Sequence, residues 1–144
     1  MNKNVGIMVK AVEHCAPVVE AIHSAFKNNR NKFKDLSIFF DRVSKVPDGI
    51  ECGIFSSSEL ACFSGSLICH NIDLLPTCTN IVNDIKITSI CDDFNVLMYY
   101  QIIDKMKDVR IIALNPEVQR KIKRTTMMDV ELLQDVNDLV DMVA

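Results

Sequence analysis

The sequence predicts an α/β fold in which helices cover both faces of a mostly parallel sheet of five or six strands. Six short apolar runs recur at near-regular intervals along the 144 residues. Amphipathic segments with helical spacing separate most of these runs, and polar residues follow nearly every run. Buried parallel strands have this pattern, because helices cover both faces of the sheet and ligand-binding groups collect beyond the carboxyl ends of the strands.

The apolar runs define the predicted strands. They are Val5–Val9, Leu36–Phe40, Cys52–Phe55, Ser66–Cys69, Ile85–Ile90 and Val109–Leu114. A loop is expected over 41–49 in place of a crossover helix, because Pro47-Asp48-Gly49 is a turn signature. No repeat or linker divides the chain, so we interpret residues 1–144 as a single Rossmann-like, doubly wound domain.

Helical spacing of apolar residues predicts three main helices. The first spans about 15–28, with Pro17 in its first turn. The second spans 93–106 and begins at the capping residue Asp93. The third is a terminal amphipathic helix over 129–143, although its first residues also fit a short strand. Shorter helical pieces are expected at 57–63, 74–82 and 116–123.

Composition excludes several classes of partner and location. The net charge of −3 does not favour nucleic-acid binding, which depends on neutralising phosphates. No uncharged apolar stretch is long enough to span a membrane, and the amino terminus lacks a secretory signal. The expected location is therefore the cytoplasm, or the host cytosol for a viral protein. The six cysteines are accordingly expected to be reduced, buried thiols.

Metal and cofactor motifs are absent from the sequence. No Cys-x₂₋₄-Cys pair offers the usual zinc ligands, so no metal is expected. Neither a Gly-x-Gly-x-x-Gly segment after the first strand nor a Gly-x-x-x-x-Gly-Lys-[Ser/Thr] segment occurs. We therefore expect no phosphate-bearing cofactor.

Polar residues after the predicted strands form the candidate ligand-binding site. Strand-end loops converge at the point where the strand order of a doubly wound sheet reverses. Helix capping is the alternative role for the serines among them. The candidates are Glu13, His14, Ser56, Ser57, His70, Asp73 and Asp92.

A nucleophilic cysteine is the sharpest chemical hypothesis. Cys15 falls at the expected start of the first helix, where the helix dipole lowers a thiol pKa, and His14 precedes it. The following residues include no Arg of the kind that cysteine phosphatases require in their phosphate loops. Simple packing of Cys15 under the sheet therefore stays open as the alternative.

The polar residues at three strand ends follow one another in an order that is found in a known family. Ser56-Ser57-Ser58 ends one strand, His70-Asn71 ends the next, and Asn115-Pro116-Glu117 leads from a later strand into a helix. In this order of strand-end residues the chain resembles the amino-terminal half of GT-B glycosyltransferases. The resemblance implies acceptor-side loops at His70 or at Glu13-His14. The donor-binding residues of that family have no counterpart here, so a complete glycosyltransferase is not expected.

The expected function is that of a binding or regulatory module, without catalysis of its own, that acts through protein–protein interaction. Its partner would be another protein or a second copy of the chain, and a small-molecule ligand stays open. Separate basic and acidic patches can guide such association. They are formed by Lys121, Lys123 and Arg124 and by Asp135, Asp138 and Asp141. Small size and ordinary loops also resemble accessory proteins of viruses or phages. The alternative function is a glycosyltransferase-like or other small transferase.

Overall fold

The computed structural model describes residues 3–42, 45–79, 85–102 and 109–143. These residues form one open sheet of seven strands, all parallel, in the order β3-β2-β1-β4-β5-β6-β7. The strands are β1 (Val5–Val9), β2 (Leu36–Phe40), β3 (Gly53–Ser56), β4 (Gly65–His70), β5 (Ile85–Cys91), β6 (Arg110–Ala113) and β7 (Glu131–Leu132). The predicted α/β Rossmann-like class is therefore consistent with the structure, with seven strands in place of the predicted five or six.

Helices lie on both faces of this sheet. They are α1 (Ala16–Lys27), α2 (Leu75–Thr79), α3 (Val96–Ile102), α4 (Pro116–Thr126) and α5 (Val136–Val143). Apolar residues of α1 and α5 share one core with the sheet, around Ile7, Ile68 and Ile90. Those of α2, α3 and α4 share the core on the other face, around Leu67 and Cys69. The continuous burial of strands such as β1 follows from this double cover.

The strand order reverses between β1 and β4. From β1 the chain proceeds outward through β2 and β3, and it then returns to β4 on the other side of β1. Neighbouring connections therefore leave the sheet in opposite directions at the carboxyl ends of β1 and β4. That divergence opens a crevice, which is where ligands usually bind in doubly wound sheets.

The predicted start of the second main helix needs correction. Helix α3 begins at Val96 because the Asn95 side chain accepts hydrogen bonds from Leu97 N and Met98 N and so caps it. The Asp93 side chain accepts instead from the adjacent Phe94 N, at 2.9 Å. The predicted continuation over 103–106, like residues 80–82 of the shorter piece, lies outside the described residues.

The carboxyl-terminal region contains both a strand and a helix. Where a helix over 129–143 was the first expectation, Glu131–Leu132 pairs with β6 as the edge strand β7, and α5 follows from Val136. Arg110 holds this edge, since its guanidinium donates to both carboxylate oxygens of Glu131 at 2.8 Å. The open alternative of a short strand is therefore the one that the structure adopts.

All six cysteines are free thiols, in agreement with the predicted reduced state. Four are buried, but Cys52 is half-buried and Cys62 is exposed, which corrects the expectation that the whole set is buried. Within the described ranges, no helix has the length and apolar character needed to cross a membrane.

Candidate active site

Cys15 lies at the carboxyl end of β1, directly before the first residue of α1. A short 3₁₀ turn, Glu13–Cys15, connects the strand to the helix, and Pro17 suits the first turn because it lacks a backbone N–H. The side chain is largely buried, with 8% exposure. Cys15 therefore occupies the end of a helix whose dipole favours a negative charge.

His70 ends β4, the strand beside β1, and its ring lies between Cys15 and Asp92. The Sγ of Cys15 is 3.4 Å from Nδ1 of His70, and Nε2 of His70 is 2.9 Å from Oδ2 of Asp92. Asp92 follows β5, the next strand along. Three adjacent parallel strands thus align a thiol, an imidazole and a carboxylate at the reversal of strand order.

Asn71 holds the carboxylate of this cluster in place. Its Nδ2 donates to Oδ1 of Asp92 at 2.9 Å, and its Oδ1 accepts from the backbone N–H groups of Asp92 and Asp93. Asp92 thus has one carboxylate oxygen bound by Asn71 and the other bound by His70. This arrangement fixes the ring orientation of His70 through Asp92.

The pKa values of the three groups shift in the directions that favour charge separation. Burial acts to raise the pKa of the Cys15 thiol, but the hydrogen bond and charge of His70 and the backbone of Ala11 and Lys10 outweigh it and hold this pKa below 9.0. Burial acts to lower the pKa of His70, yet its bonds to Cys15 and Asp92 raise that pKa above 6.5. A thiolate paired with an imidazolium is the state that these shifts favour.

The pKa of the third group, the Asp92 carboxyl, is lowered. Burial acts to raise its pKa, whereas the hydrogen bonds from Asn71 and His70 outweigh burial and keep the pKa below 3.8. A carboxylate that stays ionised can stabilise the positive charge on His70. Cys52 and Cys91 behave oppositely, since burial raises the pKa of each thiol to about 11.

An apolar groove of about 320 Å³ lies between α1 and α5 on the same face of the sheet as His70. A more polar cavity of about 380 Å³ lies at the opposite end of α1, near the start of β2, and Lys27, Arg30 and Lys34 line it. Of these two cavities, the groove is the one at the carboxyl end of the sheet, where Cys15 and His70 lie.

Of the sequence-predicted ligand-binding residues, the structure brings His70 and Asp92 into direct contact. Glu13 and His14 are exposed and lie 3.6 Å from each other, so the histidine beside Cys15 in the sequence is not the one that contacts its thiol. His70 itself is buried, with 8% exposure.

The other predicted residues lie apart from this cluster. Ser56 ends β3 and Ser57 follows it. The Ser56 hydroxyl contacts that of Ser58, and the Ser57 hydroxyl donates to Asp41. Asp73 lies in a 3₁₀ turn after β4 and lines a small cavity of about 100 Å³ beside Asn71. Whether these residues bind a ligand stays a prediction.

The predicted interaction patches are on opposite faces of the sheet. Lys121, Lys123 and Arg124 belong to α4, whereas Asp135 precedes α5 and Asp138 and Asp141 lie within it. Several of these charges have partners within the chain, as Lys123 contacts Asp129 and Asp141 contacts Lys32. Among the residues that the structure describes, no group of three or more His, Cys, Asp or Glu is arranged to hold a metal ion.

Comparison of this chain with protein-family models, curated proteins and solved structures finds no match. The resemblance to GT-B glycosyltransferases therefore stays a prediction. Function must be argued from the geometry of the site alone.

Sequence reasoning singled out Cys15, His70 and Asp92 separately but did not connect Cys15 with the other two. The contact between Cys15 and His70 spans 55 positions of sequence and exists only because β1 and β4 are neighbours. The signal that could have found it is the rule that strand-end residues meet at the reversal point, applied to Cys15 together with His70.

Proposed function

We propose that this protein is an enzyme that uses Cys15 as a nucleophile toward an acyl carbon, with His70 as the acid and base. The observation that carries the proposal is the continuous contact from Cys15 Sγ through the His70 ring to Asp92. Thiol, imidazole and carboxylate groups in this order support nucleophilic catalysis on unrelated folds, so the argument depends on geometry and not on ancestry.

Each group has a defined role in the proposed reaction. The Cys15 thiolate attacks the carbonyl carbon of an ester or thioester, and a carbon–sulfur bond forms. The bond to the leaving group then breaks, and the leaving group takes a proton from His70. In the second half, His70 removes a proton from water, and the water oxygen attacks the acyl carbon. The carbon–sulfur bond then breaks, the carboxylic acid leaves, and the pair of Cys15 thiolate and protonated His70 is restored. Asp92 orients and stabilises the protonated ring.

The surroundings of the thiol support its reactivity. Cys15 combines a helix amino terminus with a buried, hydrogen-bonded histidine, and both stabilise a thiolate. A cysteine that only fills space under a sheet needs neither feature. Its ordinary environment is apolar and raises the pKa, as at Cys52 and Cys91.

The first prediction is that Cys15 reacts with iodoacetamide at neutral pH faster than the other buried thiols. Replacing His70 by Gln removes the charge that stabilises the thiolate. We expect the alkylation rate at Cys15 to fall by about tenfold or more, because each pKa unit changes the thiolate fraction about tenfold. Peptide mass mapping measures the rate at each cysteine separately.

Two controls accompany this experiment. Cys62 is exposed and lies in the 3₁₀ helix that connects β3 to β4, so its alkylation rate should be the same in both proteins. Asp92→Asn changes a partly exposed side chain and should lower the Cys15 rate while the circular dichroism spectrum is retained. An unchanged Cys15 rate in His70→Gln, or labelling of Cys62 alone, would contradict the proposal.

The binding or regulatory module predicted from the sequence remains a second proposal. What supports it is that exposed Met127 adjoins the basic residues Lys123 and Arg124 on α4, so that apolar and charged surface occur together. A protein partner or a second copy of the chain would bind there. Nothing in this proposal requires the contact between Cys15 and His70, which is why the enzyme is preferred.

A further inference from the structure

The groove between α1 and α5 is open to solvent and apolar on almost all sides. Its volume is about 320 Å³. The walls include Pro17, Val18 and Ala21 from α1, Ile90 and Leu114 from the strand ends, and Val136 from α5. Gln134 supplies a polar side chain at the rim. A surface concavity of this composition is suited to a hydrocarbon and poorly suited to a sugar or a charged group, which would lose water without gaining partners.

The position of the groove connects it to the nucleophile. Ile90 is the register partner of His70 in the pairing of β5 with β4, and paired residues of parallel strands point to the same face of the sheet. Pro17 and Val18 follow Cys15 by two and three residues along the chain. Neither Cys15 nor His70 lines the groove itself, but residues adjacent to both of them do, so the groove and the two reacting groups are neighbours on one face of the sheet.

We propose that this groove holds the acyl chain of the substrate, so that the enzyme acts on esters or thioesters of an unbranched fatty acid. This inference rests on the function proposed above. The carbonyl carbon would lie at Cys15 while the chain lies along Ala21 and Val136. The leaving group would remain outside the groove, toward the exposed carboxylate of Asp92.

The size of the groove limits the substrate to a single chain. Pockets for small molecules measure about 300–1,000 Å³, and this groove lies near the lower limit. One chain of medium length fits such a volume, whereas a lipid with two chains does not. Each methylene group buried in the groove adds to the affinity, because apolar surface leaves water.

The test compares p-nitrophenyl acetate, butyrate and octanoate as substrates. Release of p-nitrophenolate gives the rate of acylation, and intact-protein mass spectrometry identifies the acyl adduct on Cys15. We expect the rate to rise by about tenfold or more from acetate to octanoate, as the chain buries more methylene groups. Cys15→Ala should form no adduct with any of the three esters.

Groove-filling variants separate chain recognition from chemistry. Ala21 is exposed, so Ala21→Phe can fill the groove without disturbing the core, and it should lower the octanoate rate relative to the acetate rate until the preference for octanoate is lost. Glu20→Phe places the same side chain on the same helix at an exposed position that does not line the groove, and it should keep the preference. Gln134→Phe narrows the groove from the other side and repeats the test independently.

The outcomes distinguish this inference from the proposed function. If Cys15 is acylated equally fast by acetate and octanoate, or if Ala21→Phe and Gln134→Phe both keep the preference, the groove does not hold the acyl chain although Cys15 is still the nucleophile. If no ester forms an adduct on Cys15, the proposed function is itself overturned, and this inference with it.

Discussion

Asn71 combines an unfavourable backbone conformation with the hydrogen bonds that hold Asp92. Its φ of 67° and ψ of 158° lie in a region that is populated almost only by glycine. The side chain nevertheless requires asparagine here, because its amide both donates to the Asp92 carboxylate and accepts from two backbone N–H groups. Strain of this kind persists where the surrounding structure enforces it, and it is concentrated at functional sites.

Two substitutions at this position separate strain from positioning. Asn71→Gly and Asn71→Ala both remove the hydrogen bonds to Asp92, but only glycine relieves the backbone. We expect the glycine variant to be more stable than the alanine variant by about 1–3 kcal/mol, as measured by urea denaturation. Both variants should shift the pH midpoint of Cys15 alkylation upward, because Asp92 holds His70 less well. Equal stabilities would contradict the backbone strain at Asn71, and an alkylation midpoint that does not move would contradict its role in positioning Asp92.

At the scale of elements, Gly65 allows β4 to lie against β1. It begins β4 with a φ of 138°, and a Cβ at this position would lie 2.3 Å from the backbone oxygen of Asn4. The same oxygen accepts a hydrogen bond from Ser66 N, which sets the register of the two strands. The close approach at this end therefore helps to align Cys15 and His70 at the other end of the same strand pair.

Gly65→Ala should accordingly destabilise the protein by about 2 kcal/mol or more, since it adds a backbone collision to an unfavourable φ. Gly49→Ala is the matched control. Gly49 also has a positive φ, of 92°, but no atom lies within 4 Å of the added Cβ. Its cost should be limited to conformational strain, about 1 kcal/mol. Similar losses for the two variants in urea denaturation would argue against a tight contact at Gly65.

Helices and strands could be predicted where the residues that define them are neighbours in the sequence. The start of α4 could be predicted because Asn115 caps it directly before Pro116, and Asn115 Oδ1 accepts from Val118 N at 2.9 Å. From sequence, strand β7 could be offered only as an alternative to the start of a helix, because two residues show no periodicity. Its existence depends on pairing with β6 and on the ion pair of Arg110 with Glu131, both of which are long-range contacts.

At the scale of the whole molecule, the candidate site depends on strand order. Sequence reasoning could place Cys15 at a helix start and His70 and Asp92 at strand ends, because each placement needs only local patterns. It could not show that β1, β4 and β5 are adjacent in that order, and the contact between Cys15 and His70 follows from that adjacency. Chain neighbours were a poor guide here, since His14 points to solvent.

The coupling of this site to folding predicts a pH window for stability. Asp92 has a lowered pKa in the folded protein. Its contribution to the free energy of unfolding is therefore present above the pKa of the unfolded chain, about 3.8, and is lost as the pH falls through the pKa of the folded protein. His70 has a raised pKa in the folded protein. Its contribution to the free energy of unfolding is therefore complete below about pH 6.5 and is lost as the pH rises through the pKa of the folded protein. Asp92 and His70 therefore both contribute fully to stability only between about pH 3.8 and pH 6.5.

The stability difference between the natural protein and Asp92→Asn should therefore depend on pH as a bell. It should be largest between about pH 4 and pH 6.5, decline toward lower pH as Asp92 becomes protonated, and decline toward higher pH as His70 loses its proton. Urea denaturation of both proteins across this range measures the difference. Asp41→Asn serves as the control because its carboxylate contacts Ser57 and lies away from His70, so its difference curve should show no decline above pH 6.5. A flat curve for Asp92→Asn would mean that Asp92 and His70 are not coupled in solution, and the alignment of His70 with Cys15 would lose its electrostatic support.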